Sequence, residues 1–495
     1  MMNQNTFCRQ KINFLLVMLT IALTQLAGLR IERLIAAEQR PNIVLILADD
    51  LGWNGVSCFG NEFVATPHID RLAAEGMKFT QAYALSQCLP TRAALFSGQY
   101  GARTRLTSVE TASPLYAPLI SPGRAEELPP STYTIFEMLR DAGYATGMSG
   151  KWHLGKTVAA EQLLKRHGIK YFDDFGVQYV GACQAEVADK RVTAITDDML
   201  EFIEQNHDQT FVAYLAHQSV HTPFEAPANL IEKYVAKGFR RSSEPDGVFA
   251  ERVAADFLAM IEHLDQSVGR VMSKLEELGI TNNTLVVFLS DNGGLSRVWD
   301  NAPLRGGKGQ LYEGGLRVPM IARWPGRIEP GTTCKTPVHV VDLFPTLMDI
   351  TGGTVKGEQV LDGVSLMPLL QQTGQVDREA IYSHHPEYVV AFAKTPCSMI
   401  RKGDFKLIHY FGDYLDPTGC EPKAGTLSGR FVLGAKDELF NLAKDPSEKS
   451  DLSAEMPEKV AELMADLKAW WQETDAQFPR PNPNMDRSQW IWNNH

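Results

Sequence analysis

The 495-residue sequence holds only seven cysteines, at positions 8, 58, 88, 183, 334, 397 and 420, and no CxxC pair. No disulfide framework or thiolate zinc site follows from that spacing. Basic residues are not in excess: 48 Lys and Arg stand against 59 Asp and Glu, a net charge of -11. Nucleic acid is thereby excluded as the main partner, because phosphate backbones require clustered Lys and Arg. A small anionic substrate is not, since a few local cations can dominate the field in a cleft. Apolar runs of membrane-spanning length are also missing. The run Phe14 to Gly28 falls short of the ~20 residues a span needs. It follows Arg9 and Lys11 and stops at Arg30, Glu32 and Arg33, the pattern of a secretory signal peptide. We expect residues 1–37 to be that signal, cleaved between Gly28 and Gln39, and the protein to be exported, periplasmic or secreted. No Cys follows Leu26-Ala27-Gly28 to take a lipid. Repeats and low-complexity tracts are absent.

With 44% apolar and 22% charged residues, the rest reads as ordinary globular chain. Continuous apolar runs at Asn42–Ala48 and Thr284–Ser290 have the character of buried parallel strands. Tyr144–Ser149, Thr210–Ala216 and Arg317–Trp324 are further strands. Helical patterns cover Tyr133–Asp141, Thr193–Asn206, Ala250–Leu278 and Val340–Ile350, with glycines as stop signals. The alternation predicts an α/β domain over 38–375, with a mostly parallel sheet and helices on both faces. After about residue 375 the pattern changes to a hairpin around Lys402-Gly403, a polar loop over 413–429, a short strand Glu438–Leu442 and a terminal helix Met456–Thr474. This predicts a smaller α+β subdomain over 376–495.

Both of the most apolar strands run into acidic groups: Asp49-Asp50 after the first, Asp291-Asn292 after the second. Ligands of open α/β sheets bind beyond the carboxyl ends of strands. Three carboxylates and an amide oxygen gathered there suit Ca²⁺ or Mg²⁺, and the lack of His or Cys in the clusters disfavours zinc. Either cluster alone reads better as a helix cap or a turn; together, after the two most apolar strands, they favour metal. Downstream, Pro90 suits the first turn of a helix, so Cys88 lies where a helix N-terminus favours an anion such as sulfate.

The segment Cys88-Leu89-Pro90-Thr91-Arg92 followed by AALxxG resembles the signature of the type I sulfatases, in the alkaline phosphatase superfamily. Leu89, Thr91 and Ser97-Gly98-Gln99 depart from the commonest forms of that signature. Other segments resemble the family in order: PNIVLILADDLG from Pro41, GKWHLG from Gly150, HTP from His221, SDNGG from Ser290, PLRGGKGQLYEGGLRVP from Pro303, and the Gly403–Ile408 and Glu438–Leu442 pair. The resemblance implies an alkaline-phosphatase-like fold and a nucleophile made by oxidising Cys88 to formylglycine, whose hydrate attacks sulfur. It implies one metal ion, here expected to be Ca²⁺, on Asp49, Asp50, Asp291, Asn292 and the modified Cys88. Arg92 would stabilise the hydrated aldehyde, Lys151 and Lys308 contact sulfate oxygens, and His153 act as base when the aldehyde re-forms. His221 would face the leaving group as general acid, a nearby sulfate favouring its protonated form. A formylglycine-generating enzyme is then a required partner during maturation.

Two alternatives stay open at this point. A phosphatase or phosphodiesterase of the same superfamily would use Ser or Thr and a zinc pair with several His ligands. A sulfated-glycan binder would have lost some of these residues. The substrate is expected to be a sulfated carbohydrate, with aryl sulfates as the other class. Tyr171–Tyr179, Ser296–Asn301 and His384–Tyr388 carry aromatic and His groups suited to a leaving group. Glu313 and Arg317 read as a pair that holds the glycine-rich loop, and His217 as a neighbour of His221. The oligomeric state is not legible.

Overall fold

The computed structural model describes residues 40–109, 116–155, 167–169, 171–173, 189–242, 253–296, 298–389, 395–416 and 430–486. The expected signal segment and Cys8, Cys183 and Cys420 lie outside them, and Cys58, Cys88, Cys334 and Cys397 are free thiols.

Four parallel strands form the centre of a nine-stranded sheet. They are β1 (Asn42–Ala48), β3 (Ala145–Gly150), β4 (Phe211–Ala216) and β5 (Thr284–Ser290), with β2 (Met77–Tyr83) and β6 (Arg317–Arg323) on one side. The order is β2-β6-β5-β1-β4-β3, extended at the ends by short strands. Strand β6 pairs antiparallel with both neighbours, so the chain reverses just after its glycine-rich loop. The sheet is buried on both faces, which is why its strands read as unbroken apolar runs. Ile43, Leu45 and Leu47 point into one core with α2 (Cys88–Ser97), α3 (Ile135–Asp141) and α6 (Leu343–Thr351). Val44, Ile46 and Ala48 point into the other with α1 (Pro67–Ala74), α4 (Val192–Asn206) and α5 (Ala255–Glu277).

Most boundaries follow the chain's own signals. Helix α3 starts at Ile135 rather than Tyr133, because Thr134 and Glu137 close a capping box on its first turn. The helix read from Val340 opens as a 3-10 turn over Val340–Asp342 before α6 proper. Strand β2 has no unbroken apolar run, since Lys78, Thr80 and Gln81 are only half-buried, and its period was not read.

The C-terminal region forms a second, antiparallel sheet of four strands, β7 (Ile381–His385), β8 (Cys397–Lys402), β9 (Phe405–Tyr410) and β10 (Lys436–Asn441), in that order. Ile381, Met399, Ile408 and Phe440 pack on Leu311, Tyr312 and Leu316 of the main region. Helix α7 (Pro457–Glu473) buries Leu463, Leu467 and Trp470 in the same core as Ile400, Leu407 and Leu439. Among the described residues no helix is long and apolar enough to cross a membrane.

Candidate active site

Strands β1 and β5 run in register, Ala48 opposite Ser290, so Asp49 and Asp291 leave the sheet side by side. The Asp50 backbone N–H donates to Asp291 Oδ1 at 3.1 Å, and Asn292 Nδ2 donates to Asp50 Oδ1 at 2.9 Å. All four side chains are buried. Asp50 has φ 65°, a left-handed conformation rare for a non-glycine residue.

Cys88 opens α2, after an extended Gln87 that offers no side-chain cap. Arg92 lies one turn on, on the same helix face. Its Nε and Nη2 donate to Asp291 Oδ2 at 3.1 and 2.9 Å, and its Nη1 donates to the Lys151 carbonyl at 2.8 Å. Two guanidinium donors thus converge on one carboxylate oxygen, which leaves Asp291 Oδ1 to accept from the Asp50 N–H. Ligand atoms of Asp49, Cys88 and Asp291 lie within 4.8 Å of one another, as do those of Asp49, Asp50 and His221.

Three further elements close the site. Lys151 follows β3, where Gly150 has φ 104° and packs so closely that a Cβ would stand 2.1 Å from the Ala216 carbonyl. Lys151 Nζ sits 2.5 Å from Asp49 Oδ2. Lys308 comes from the glycine-rich loop, with Nζ 2.6 Å from Asp50 Oδ1. That loop is pinned by the Lys308 N–H on Gly294 O at 3.0 Å and the Gly309 N–H on Ser86 O at 2.7 Å. His221 donates from Nδ1 to the Thr222 carbonyl at 2.6 Å, which leaves Nε2 facing Asp50 Oδ2 at 3.7 Å. His153 is buried and has φ 59°.

The electrostatics follow from burial and close opposite charges. Burial pushes the Asp49 carboxyl up, and Lys151, His221, Arg92 and Lys308 together overcome it, holding Asp49 well below the ordinary range. Burial, reinforced by Asp49, pushes Asp291 up to about 7. Burial also raises the Cys88 thiol, so the unmodified side chain is a poor source of thiolate. His153 is driven well below its ordinary value by burial and by Lys151 and Arg92. For His221, burial outweighs the pull of Asp50 and lowers the pKa. The charged form expected for His221 is thus favoured by Asp50 and Asp49 but opposed more strongly by burial.

Every residue expected in the site, Asp49, Asp50, Cys88, Arg92, Lys151, His153, His221, Asp291, Asn292 and Lys308, is buried or nearly so. The expected leaving-group segments are a different matter. His384 and His385 lie in β7; His384 contacts Ser398 Oγ and the Gln477 carbonyl, and His385 the Thr107 carbonyl and Ser383 Oγ. Asn301 donates from Nδ2 to the Gly294 and Gly306 carbonyls while its buried Oδ1 accepts no hydrogen bond, and Trp299 donates to Asn54. Of Tyr171–Tyr179, residues 174–179 lie outside the described residues. His217 is buried on Ser267 Oγ at 3.1 Å, with burial lowering its pKa to about 3. The residues that sequence reasoning missed, Tyr83, Lys406 and Glu448, act on the glycine-rich loop from distant segments, and no local pattern marks them.

Asp49 Oδ1 and Asn292 Oδ1 are buried and accept no hydrogen bond from the protein. An orphaned buried acceptor is costly, and two carbonyl-type oxygens among three carboxylates are what a hard divalent cation takes up. The residues therefore fit such an ion. Residues 41–353 match the family model described as Sulfatase, and residues 307–416 match the model described as N-sulphoglucosamine sulphohydrolase, C-terminal. The chain belongs to the sulfatase family. A sulfatase of Formosa agariphila is 32% identical, over 90% of this chain and 92% of that protein. Arylsulfatase A of Homo sapiens is 31% identical, over 88% and 87%. A solved structure of Ps i-CgsB, in complex with k-i-k-neocarrahexaose, is 25% identical with a TM-score of 0.69, covering 90% of this chain and 95% of that one. This sulfatase is a sulfuric ester hydrolase with a mixed α/β fold shared by those relatives.

Proposed function

We propose that the sulfatase cleaves sulfate monoesters of carbohydrates, using formylglycine made from Cys88 and one Ca²⁺ held by Asp49, Asp50, Asp291, Asn292 and the modified residue 88. The observation that carries this reading is the pair of orphaned oxygens, Asp49 Oδ1 and Asn292 Oδ1, beside Cys88. When present, the aldehyde hydrate supplies the attacking oxygen and the cation neutralises charge on the sulfate. Arg92, locked on Asp291, orients residue 88 and the metal ligands together. Lys151 and Lys308 bind the non-bridging oxygens, where charge grows as sulfur is transferred. His153, kept neutral by burial and adjacent cations, is suited to accept a proton.

His221 protonates the leaving oxygen from Nε2, because Nδ1 is committed to the Thr222 carbonyl. Burial lowers this imidazole's pKa against the pull of Asp50, so a bound sulfate ester adds the negative charge that favours its protonated form. The carbohydrate class is supported by the oligosaccharide in the complex of a structural relative. Aryl sulfates are the second reading, favoured by the identity with arylsulfatase A. Export and maturation by a formylglycine-generating enzyme complete the proposal.

A panel of sulfated mono- and oligosaccharides assayed beside nitrophenyl sulfate and a phosphate ester tests the reading. The peptide around Cys88 should carry an aldehyde by mass spectrometry. Cys88→Ser, made where only the Cys-converting enzyme is present, should lose about four orders of magnitude or more. Full activity with an unmodified thiol would sink the mechanism.

A further inference from the structure

Strand β9 places Lys406, Ile408 and Tyr410 on one face, and Ile408 and Tyr410 line the core against the glycine-rich loop. A lysine at the third position is anomalous, because lysine is almost never fully buried unless paired. Lys406 is fully buried, with Nζ 3.1 Å from Glu313 Oε1 and 2.8 Å from Glu448 Oε1. Both carboxylates are also fully buried and otherwise engaged. Tyr83 donates its hydroxyl to Glu313 Oε2 at 2.6 Å, and the Glu313 N–H donates to Glu448 Oε2 at 2.7 Å. Arg305, near the start of the same loop, donates to the Glu448 carbonyl at 3.0 Å and to the Tyr312 hydroxyl at 2.9 Å. Tyr312 in turn donates to Glu438 Oε2 on β10 at 2.8 Å. The loop that carries Lys308 is thus tied to the C-terminal sheet on both sides of that residue.

We infer that the buried Glu313–Lys406–Glu448 cluster is the positioning device for Lys308, so that the C-terminal sheet sets sulfate binding without touching substrate. The inference rests on reading Lys308 as a sulfate contact. Lys308 reaches Asp50 from a loop held at Gly294 and Ser86 and closed on itself by the Gly314 N–H on the Arg305 carbonyl. That closure joins the Glu313 end to the start of the loop, so a shift at Glu313 is passed toward Lys308, and displacement of a charged group by about 1 Å can cost ~10²-fold in rate. Burial raises the Glu313 carboxyl, but Lys406, Arg401 and Arg317 overcome that and keep it ionised. An ammonium between the two carboxylates is therefore the natural closure.

The test is a double-mutant cycle. Lys406→Met and Glu313→Gln are each made in the full-length matured enzyme, alone and with Lys308→Ala, with melting curves on every variant. In folded protein, each single change should lower kcat/KM on sulfate esters by about 10- to 100-fold. In the Lys308→Ala background, neither should lower it further. Retained activity in a folded single variant overturns the inference. So does an equal loss with Lys308 already gone, which would put the action on the Ser86–Cys88 segment. If Lys406→Met does not fold, Glu313→Gln decides; if neither folds, the cluster serves stability and the inference fails. Wild-type enzyme inactive on every sulfate ester would instead refute the functional reading.

Discussion

Two buried charge clusters stand on either side of the glycine-rich loop, and they are built to opposite ends. At the strand tips, Asp49, Asp50 and Asp291 face Arg92, Lys151 and Lys308, three formal charges of each sign. The charges balance, yet two oxygens there, Asp49 Oδ1 and Asn292 Oδ1, have no donor. Beneath the loop, Lys406 is gripped by Glu313 and Glu448, and the same carboxylates take a tyrosine hydroxyl and a backbone N–H. The first cluster keeps acceptors in reserve, and a divalent cation there leaves a net positive pocket for an anion. The second closes on itself and can only hold a shape. Buried charge alone therefore does not mark a site: in the second cluster Glu448 Oε1 also accepts no hydrogen bond, but the Lys406 ammonium lies 2.8 Å from it.

The sharpest way to break this comparison is to remove the metal. Exhaustive chelation should take activity to background, and Ca²⁺ should restore it. Ca²⁺ should also raise the melting temperature, by about 2.7 kcal/mol of stabilisation at a hundredfold excess over Kd. Elemental analysis finding two tightly bound zinc ions would overturn the assignment of an oxygen-only site.

A smaller effect is expected at His221. His221→Ala should lose about 10²- to 10⁴-fold on a sulfated sugar, whose alkoxide needs a proton, and far less on nitrophenyl sulfate. Equal losses on both would mean that His221 positions the site rather than protonating the leaving group.

The smallest effect belongs to the closed cluster. Burial, with Glu313 adding to it, pushes Glu448 from 4.5 up to about 7. The fold thus favours its neutral form. Its contribution to stability is full below the unfolded value and is lost as pH rises through the folded one. Glu448→Gln should therefore lose less stability than the wild type between about pH 5 and about pH 8. Denaturant titrations at both pH values measure this, and parallel slopes for the two proteins would contradict it.

The open cluster could be read in the sequence because its parts are local. Two apolar strands end in Asp49-Asp50 and Asp291-Asn292, and parallel register brings those ends together. Cys88 and Arg92 are joined by one helical turn. The closed cluster escaped because Glu313, Lys406 and Glu448 meet only through tertiary packing, and a lysine inside a half-apolar strand looks like a surface residue. His384 and His385 show how little composition says about placement, since His385 also lies 3.4 Å from Ser86 Oγ, just before Cys88. Their composition suits a sugar, but β7 turns them inward onto Ser398, the Gln477 carbonyl and the Thr107 carbonyl. Contacts to the leaving group depend on loop geometry, for which the chain has no periodic signal.

Asp50 and His153 both hold positive φ, 65° and 59°, in a region that costs a non-glycine residue about 1–3 kcal/mol. Glycine would relax the backbone at either position, but at either it would also erase a buried side chain of the site. At Asp50 the strain is outweighed by what the side chain holds, because without it Lys308 and the Asn292 amide would be left buried without that partner.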